Sequence, residues 1–129
     1  MSKTYKNYFP LPNAIFSLGL SPGEIAVYSY LLYCENRKTY QCYPSYKTIG
    51  QAVGMSTNTV QKYIFELADK GFITIEPTSV ITKTGQKRNG SYRYTIRPIQ
   101  EVVESYHQRQ LRKLEIDAAK SRLTTQTAV

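Results

Sequence analysis

Apolar positions repeat every three to four residues in four segments of the chain, and this period predicts four helices. The first begins at Ser21 to Glu24, where serine, proline and glutamate stand in the order of a capping box with proline at N1. The second is short, over residues 46–53, and the third follows closely, over residues 57–70. A serine precedes each as N-cap and a glycine follows each as a stop. The fourth covers residues 99–120.

Between the third and fourth helices the apolar period changes from 3.6 to 2. Residues 72–77 and 92–97 alternate between apolar and polar side chains, and turn-forming residues fill much of the segment between them. These patterns predict a β-hairpin over residues 72–97, which Pro98 ends. A very short strand is expected around residues 41–43, in the loop before the second helix.

The elements divide the chain into four parts. Residues 1–20 are expected to form an extended N-terminal arm, since two prolines prevent a helix there. Residues 21–98 form the main domain, residues 99–120 an additional helix and residues 121–129 a flexible tail. The apolar stripe of the additional helix has two interpretations: it packs on the first helix, or it pairs with the same helix of a second subunit.

The segment PSYKTIGQAVGMSTNTVQKYIFELADKGFI, from Pro44 to Ile73, resembles the core of bacterial winged helix-turn-helix DNA-binding domains. The resemblance implies a mainly α fold with a small β-hairpin: a three-helix core plus wing, with an additional C-terminal helix. The flanking segments LPNAIFSLGLSPGEIAVYSYLLYCEN and RNGSYRYTIRP resemble a subgroup found in mobile-element and plasmid replication and regulatory proteins.

The charge balance narrows the choice of partner. The formal net charge is +8, with 17 Lys and Arg against 9 Asp and Glu, so a polyanion is expected, either nucleic acid or an anionic membrane surface. No apolar run reaches the roughly 18 residues that a membrane span needs. The N-terminus lacks the apolar core of a signal peptide, so a cytoplasmic protein with reduced Cys34 and Cys42 is expected. With His107 these thiols match no zinc spacing, and no metal site is predicted.

Helical geometry places several polar residues of the third helix outside its buried stripe. Asparagine and glutamine can pair with adenine, threonine methyls can contact thymine, and the positive end of a helix dipole suits a phosphate. In the alternative interpretation these residues only form a well-capped helix start. The predicted DNA-binding residues of this recognition helix are Ser56, Thr57, Asn58, Thr59, Gln61 and Lys62.

From Lys83 to Arg97 the hairpin holds five basic residues and no acidic one. The imbalance favours contact with a DNA backbone or minor groove, and the alternative is a solvated hairpin that needs charge for solubility. The wing is expected over residues 77–92, with its tip at Arg88 to Gly90. Its predicted contacts are Lys83, Lys87, Arg88, Asn89 and Arg93. Further phosphate contacts are predicted near the second helix, from Arg37, Lys38, Ser45, Tyr46 and Lys47.

The sequence lacks the usual signs of catalysis. It has no phosphate-binding glycine loop, no dinucleotide fingerprint and no evident acid–base carboxylate pair, and a single histidine excludes a histidine-pair metal site. No catalytic residue or cofactor is predicted. The expected function is sequence-specific binding of double-stranded DNA by a transcriptional regulator, with a homodimer through the C-terminal helix. Two alternatives remain: a replication or transfer protein of a plasmid or mobile element, and a winged helix used for protein–protein contact.

Overall fold

The computed structural model describes residues 7–81, 83–89 and 91–127, while the side chains of residues 80, 81, 87–89 and 125–127 lie outside the description. The arm expected at the N-terminus therefore falls outside it at residues 1–6. A short 3-10 turn, Asn13–Ser17, precedes helices α1 (Pro22–Cys34), α2 (Tyr46–Val53), α3 (Thr57–Asp69) and α4 (Ile99–Thr127). The strands are β1 (Gln41–Cys42), β2 (Ile73–Glu76), β3 (Ser79–Ile81), β4 (Lys87–Asn89) and β5 (Arg93–Ile96).

The strands form one antiparallel hairpin with a third strand at its base. Strand β5 lies between β1 and β2, with Gln41 opposite Thr95 and Ile73 opposite Ile96. Strands β3 and β4 continue the hairpin as a two-stranded ribbon. A hydrogen bond from the Thr78 hydroxyl to a backbone carbonyl crosses the interruption between the two parts. The hairpin predicted over residues 72–97 and the short strand before α2 are both confirmed.

The helix starts follow from local hydrogen bonding. Each N-cap serine accepts a hydrogen bond from the backbone N–H three residues further on, at 3.3 Å for Ser21, 3.1 Å for Ser45 and 3.2 Å for Ser56. The capping box of α1 is complete, because the N3 glutamate accepts from the N-cap backbone. Gly54 and Gly71 follow α2 and α3 with φ of 72° and 82°. The start and stop signals in the sequence are therefore confirmed.

The core lies between α1, α2, α3 and the inner face of the sheet. The 3-10 turn covers one side, and among the described side chains of α4 it is Val102, from the first turn, that is fully buried. The largest fully buried side chains are Tyr28, Tyr94, Phe72, Ile15, Leu31, Ile49, Ile64, Leu67, Ile73, Val27, Val60 and Val102.

Helix α4 leaves the core after its second turn. Val103 and Tyr106 pack partly against the core, whereas every described side chain from His107 onwards is exposed. The helix continues to Thr127, so the predicted end at residue 120 was too early. Of the two interpretations of the apolar stripe, packing as ordinary core thus applies to its first two turns, while Leu111, Leu114 and Ala118 are exposed. Within the described residues, no helix combines the length and the apolar character needed to cross a membrane.

Candidate nucleic-acid interface

Helices α2 and α3 meet at a turn whose geometry depends on two glycines. Gly54 adopts the left-handed conformation at the end of α2, and the Met55 N–H donates to the Gly50 carbonyl at 2.9 Å. Gly50 is buried, and a Cβ added there would lie 2.4 Å from the Met55 carbonyl oxygen. Because this neighbour is backbone, the close approach requires glycine at position 50. Backbone contacts at these two glycines therefore set the conformation of the turn, independently of any ligand that binds α3.

The first turn of α3 separates capping residues from outward-facing ones. The Ser56 hydroxyl accepts from the Thr59 N–H at 3.2 Å and donates to the Thr59 hydroxyl at 2.9 Å. Ser56 and Thr59 thus form the cap of the helix, with Ser56 exposed and Thr59 half-buried. The remaining predicted residues of the recognition helix form no part of the cap and are exposed: Thr57, Asn58, Gln61 and Lys62. The Lys62 ammonium lies 5.3 Å from the centroid of the neighbouring Tyr63 ring.

The start of α2 presents one exposed cation and one packed tyrosine. Lys47 is exposed, whereas the Tyr46 ring stacks on Tyr92 with centroids 5.8 Å apart. The Tyr46 hydroxyl oxygen is buried beside Tyr94, and its burial raises the pKa of Tyr46. A phosphate cannot reach this hydroxyl without displacing the packed rings, so the predicted contact through Tyr46 is not supported. The Ser45 hydroxyl is engaged in capping α2.

The tip of the wing differs from the sequence-based expectation. The chain reverses over residues 83–86, where Gly85 has a φ of 80° and Lys83 is exposed. Arg88 and Asn89 lie within β4, opposite Val80 and Ser79 respectively. The prediction of a tip at Arg88 to Gly90 was therefore wrong. The segment paired as a strand despite its polar composition, since the turn formed earlier at a glycine that tolerates a positive φ.

Three predicted wing contacts cannot be placed at the level of their side chains. The backbone of Lys87, Arg88 and Asn89 runs in β4, but their side chains lie outside the description, and Gly90 lies outside the described residues altogether. Of the basic side chains predicted in the wing, Lys83 is described, and it is exposed.

Arg93 is occupied within the sheet. Its guanidinium forms an ion pair with the Glu76 carboxylate, directly opposite on β2, and these interactions raise the pKa of Arg93. The Tyr43 side chain also hydrogen-bonds to it. Glu76 precedes the window from Lys83 to Arg97 in which basic residues stand without an acidic one. The wing consequently offers one free positive charge fewer than the sequence suggests.

The structure does not bring Arg37 and Lys38 together with the other candidates. Both are exposed in the loop between α1 and β1, which lies beside the C-terminal end of β5, since the Ile96 N–H donates to the Tyr40 carbonyl at 2.9 Å. The start of α2 lies beside Tyr92, at the opposite end of that strand. Four residues of strand separate the two places by about 13 Å.

The C-terminal end of α3 holds an ion pair that the sequence did not reveal. The Lys70 ammonium lies 2.7 Å from a carboxylate oxygen of Glu24, which is 2% exposed, and it also donates to the Gly19 carbonyl at 3.2 Å. Burial alone would raise the pKa of Glu24, but the hydrogen bonds from Lys70 and Ser21 outweigh it and lower that pKa. The capping box explained Glu24 locally, and nothing in the sequence pointed to its distant partner.

Arginines complete the anchoring of this end. Arg109 of α4 donates to the Lys70 carbonyl at 3.2 Å, and Arg97, just after β5, donates to the Gly71 carbonyl at 3.3 Å. Both guanidiniums therefore meet carbonyls at the negative end of the helix dipole. The end of α3 is fixed to α1, β5 and α4 together.

The two cysteines are free thiols. Cys42 is buried and Cys34 half-buried, and burial raises the pKa of both, that of Cys42 to about 12. Within the described residues, no group of three or more histidine, cysteine, aspartate or glutamate side chains is arranged to hold a metal ion.

The family model and the first of the solved structures described below agree with this architecture. A family model described as a helix-turn-helix domain matches residues 18–73. Solved structures that superpose on the chain include a possible transcriptional regulator from Methanosarcina mazei Go1, at 16% identity and a TM-score of 0.53, over 81% of this chain and 82% of that one. Another is a MarR family transcription regulator, at 18% identity and a TM-score of 0.46, over 85% of this chain and 66% of that one. A search of curated proteins gave no match.

The fold is a winged helix-turn-helix with an additional C-terminal helix. The element order, the match over residues 18–73 and the superposition with the Methanosarcina protein all support this statement. The narrower resemblance to mobile-element and plasmid proteins stays a prediction.

Proposed function

We propose that the protein binds double-stranded DNA sequence-specifically and acts as a transcriptional regulator, without a catalytic step of its own. The observation that carries the proposal is the exposed polar stripe of Thr57, Asn58 and Gln61 at the start of α3. These side chains follow a turn that requires glycine at position 50, so the turn holds them in a fixed direction.

The chemistry of this stripe suits base edges in the major groove. An α-helix fits that groove, and each of the two amides can form a bidentate pair with adenine N6 and N7. The first backbone N–H groups of α3 and the positive end of its dipole favour a nearby phosphate. Base reading would therefore rest on neutral side chains, while the wing and the start of α2 supply positive charge.

A genomic pull-down followed by sequencing would identify the bound site. Sites at promoters would support the regulator, whereas sites clustered at one replication origin would support the replication role that the sequence resemblance implies. The variant Asn58→Ala with Gln61→Ala should then lose about 5- to 150-fold in affinity for the site per lost amide pair, and keep its non-specific binding. The matched control is Gln108→Ala with Gln110→Ala, which removes two exposed amides from α4. Equal behaviour of both double variants would favour the protein-contact function instead.

Salt dependence tests the electrostatic part of the proposal. Lys47, Lys62 and Lys83 are exposed, and Lys87 and Arg88 lie on β4. Five phosphate contacts predict a slope of about −4.5 for log K against log[salt]. A slope close to −1 would contradict contact by the wing.

We also propose that two copies associate through the outer half of α4. Leu111 is 60% and Leu114 is 65% exposed, and with Ala118 they lie on one stripe of the helix. Ile116 and Leu123 lie on a different side, also exposed at 48% and 61%. A two-fold dimer would place its half-sites about 34–36 Å apart on DNA.

Substitutions in this stripe, compared with a substitution on another side of α4, test whether the stripe forms the dimer contact. Leu111→Glu with Leu114→Glu should convert the dimer to a monomer in sedimentation equilibrium, because charge would replace the apolar contact. Ile116→Glu is the matched control on another side of the same helix and should leave the dimer intact. A monomeric wild-type protein would exclude the proposal, and dissociation by Ile116→Glu alone would assign the contact to the other side.

A further inference from the structure

Phe65 is the large apolar side chain on the outer surface of α3, a helix whose residues are all described. It is 50% exposed, while the other exposed positions of α3 are polar: Thr57, Asn58, Gln61, Lys62 and Asp69. Within the described part of the chain it forms no ring pair. About half of the surface of this side chain is therefore open to a ligand.

The position of Phe65 relates it to the candidate base-reading residues. It follows Gln61 by one helical turn and Asn58 by two, so the three side chains share one stripe of the helix. Along the helix axis, Phe65 lies about 10 Å from Asn58. A ligand that meets both amides would extend over the phenyl ring as well.

We propose that Phe65 contacts the C5-methyl group of a thymine in the major groove and thereby adds thymine to the sequence read by α3. The inference rests on the proposed function. Among the base edges of the major groove, the thymine methyl is the apolar group, whereas the other edges present hydrogen-bond donors and acceptors that a phenyl ring cannot satisfy. At a rise of about 3.4 Å per base pair, the thymine should lie roughly two to three base pairs from the base that Asn58 contacts.

Replacing thymine with deoxyuridine tests the contact, because it removes the methyl group and leaves base pairing intact. Each thymine of the selected site is replaced in turn, and the affinity is measured for wild type, Phe65→Ala, Phe65→Leu and Phe16→Ala. Phe16 is 78% exposed on the 3-10 turn and serves as the matched control. In the wild type, one position should lose about fourfold in affinity, the equivalent of one buried methyl group.

Non-additivity identifies the residue responsible. In Phe65→Ala the same deoxyuridine should cause no further loss, whereas Phe65→Leu and Phe16→Ala should keep the sensitivity of the wild type. Insensitivity of the wild type to every replacement would overturn the inference and leave the proposed function standing. So would an equal loss in wild type and Phe65→Ala. A protein that selects no DNA sequence would overturn both proposals together.

Discussion

The two ends of α3 are built in opposite ways. At the N-terminal end the cap is exposed and neutral, since Ser56 and Thr59 bond to each other and the neighbouring polar side chains face outwards. At the C-terminal end a buried carboxylate, an ammonium and two guanidiniums fix the helix to three other elements. One end is anchored and the other is presented, which is the arrangement that a helix needs in order to hold side chains steadily against a ligand.

The ion pair and the arginine hydrogen bonds of α3 therefore lie at the opposite end of the helix from the proposed DNA contact. The ion pair of Glu24 and Lys70 is structural, so Lys70 already has a partner although it belongs to the segment predicted as recognition helix. Mutations at the two ends should therefore have different effects. Those at the C-terminal end should mainly lower stability, and those at the N-terminal end should mainly weaken DNA binding.

The largest effect is expected from Lys70→Met. It leaves the carboxylate of Glu24 buried without a counter-charge, which should cost about 3 kcal/mol in the free energy of unfolding. Glu24→Gln should cost less, about 1–2 kcal/mol, because the Lys70 side chain is 34% exposed and can reach water. Urea unfolding at neutral pH measures both. Lys113→Met removes an exposed lysine from α4 and provides the control. If Lys113→Met lowers the free energy of unfolding as much as Lys70→Met does, the ion pair of Lys70 does not anchor the end of α3.

A smaller effect is expected where the turn leads into α3. Gly50→Ala forces a methyl group against the Met55 carbonyl and should cost about 2 kcal/mol. Gly54→Ala meets no atom within 4 Å and carries only the cost of a positive φ, about 1 kcal/mol. The melting temperatures of the two variants show whether the steric contact at position 50 or the positive φ at position 54 costs more stability. The reverse order would show that the turn can relax around position 50.

Stability should also depend on pH through the anchored end. The pKa of Glu24 is lowered in the folded protein, so its contribution is fully present above the unfolded value of about 4.3 and is lost as the pH falls through the folded value. The stability difference between wild type and Glu24→Gln should therefore shrink in acid. Urea unfolding at a series of pH values measures this difference, and a gap that stays constant into acid would contradict the lowered pKa.

The smallest effect is expected at the presented end. Ser56→Ala removes the cap of α3 and should cost about 1 kcal/mol, while Thr57→Ala removes a hydroxyl that caps nothing and should stay within about 0.5 kcal/mol. If Thr57 contributes to DNA contact, its variant should nevertheless lower affinity for the selected site. Chemical unfolding and DNA titration on the same samples check whether stability and binding separate as expected.

Elements governed by neighbours in the chain could be predicted from the sequence. The capping box at Ser21, the caps at Ser45 and Ser56, and the glycines after α2 and α3 all act within a few residues. Their hydrogen bonds form wherever a helix begins or ends, so the pattern of residues suffices. The hairpin followed from alternation, since one face of its strands must enter the core.

The composition of the candidate site could be predicted less well. Thr57, Asn58, Gln61 and Lys62 are exposed as expected, whereas the hydroxyl of Tyr46 is buried and Arg93 is paired. In both cases a residue distant in the chain decides the outcome: Tyr92 stacks on Tyr46, and Glu76 faces Arg93 across the strands. A count of charges in one window cannot include a partner that only strand pairing supplies.

By itself, the sequence determined where the helices start, which residues form the stripe of α3 and that the chain carries an excess of positive charge, because these properties depend on local geometry or on composition. Only the tertiary structure decided which charges remain free. The partners Glu24 and Lys70 lie in α1 and just after α3, and the anchoring of α3 also draws on β5 and α4. Packing brings these groups together, and the burial of the Glu24 carboxylate makes its pairing necessary.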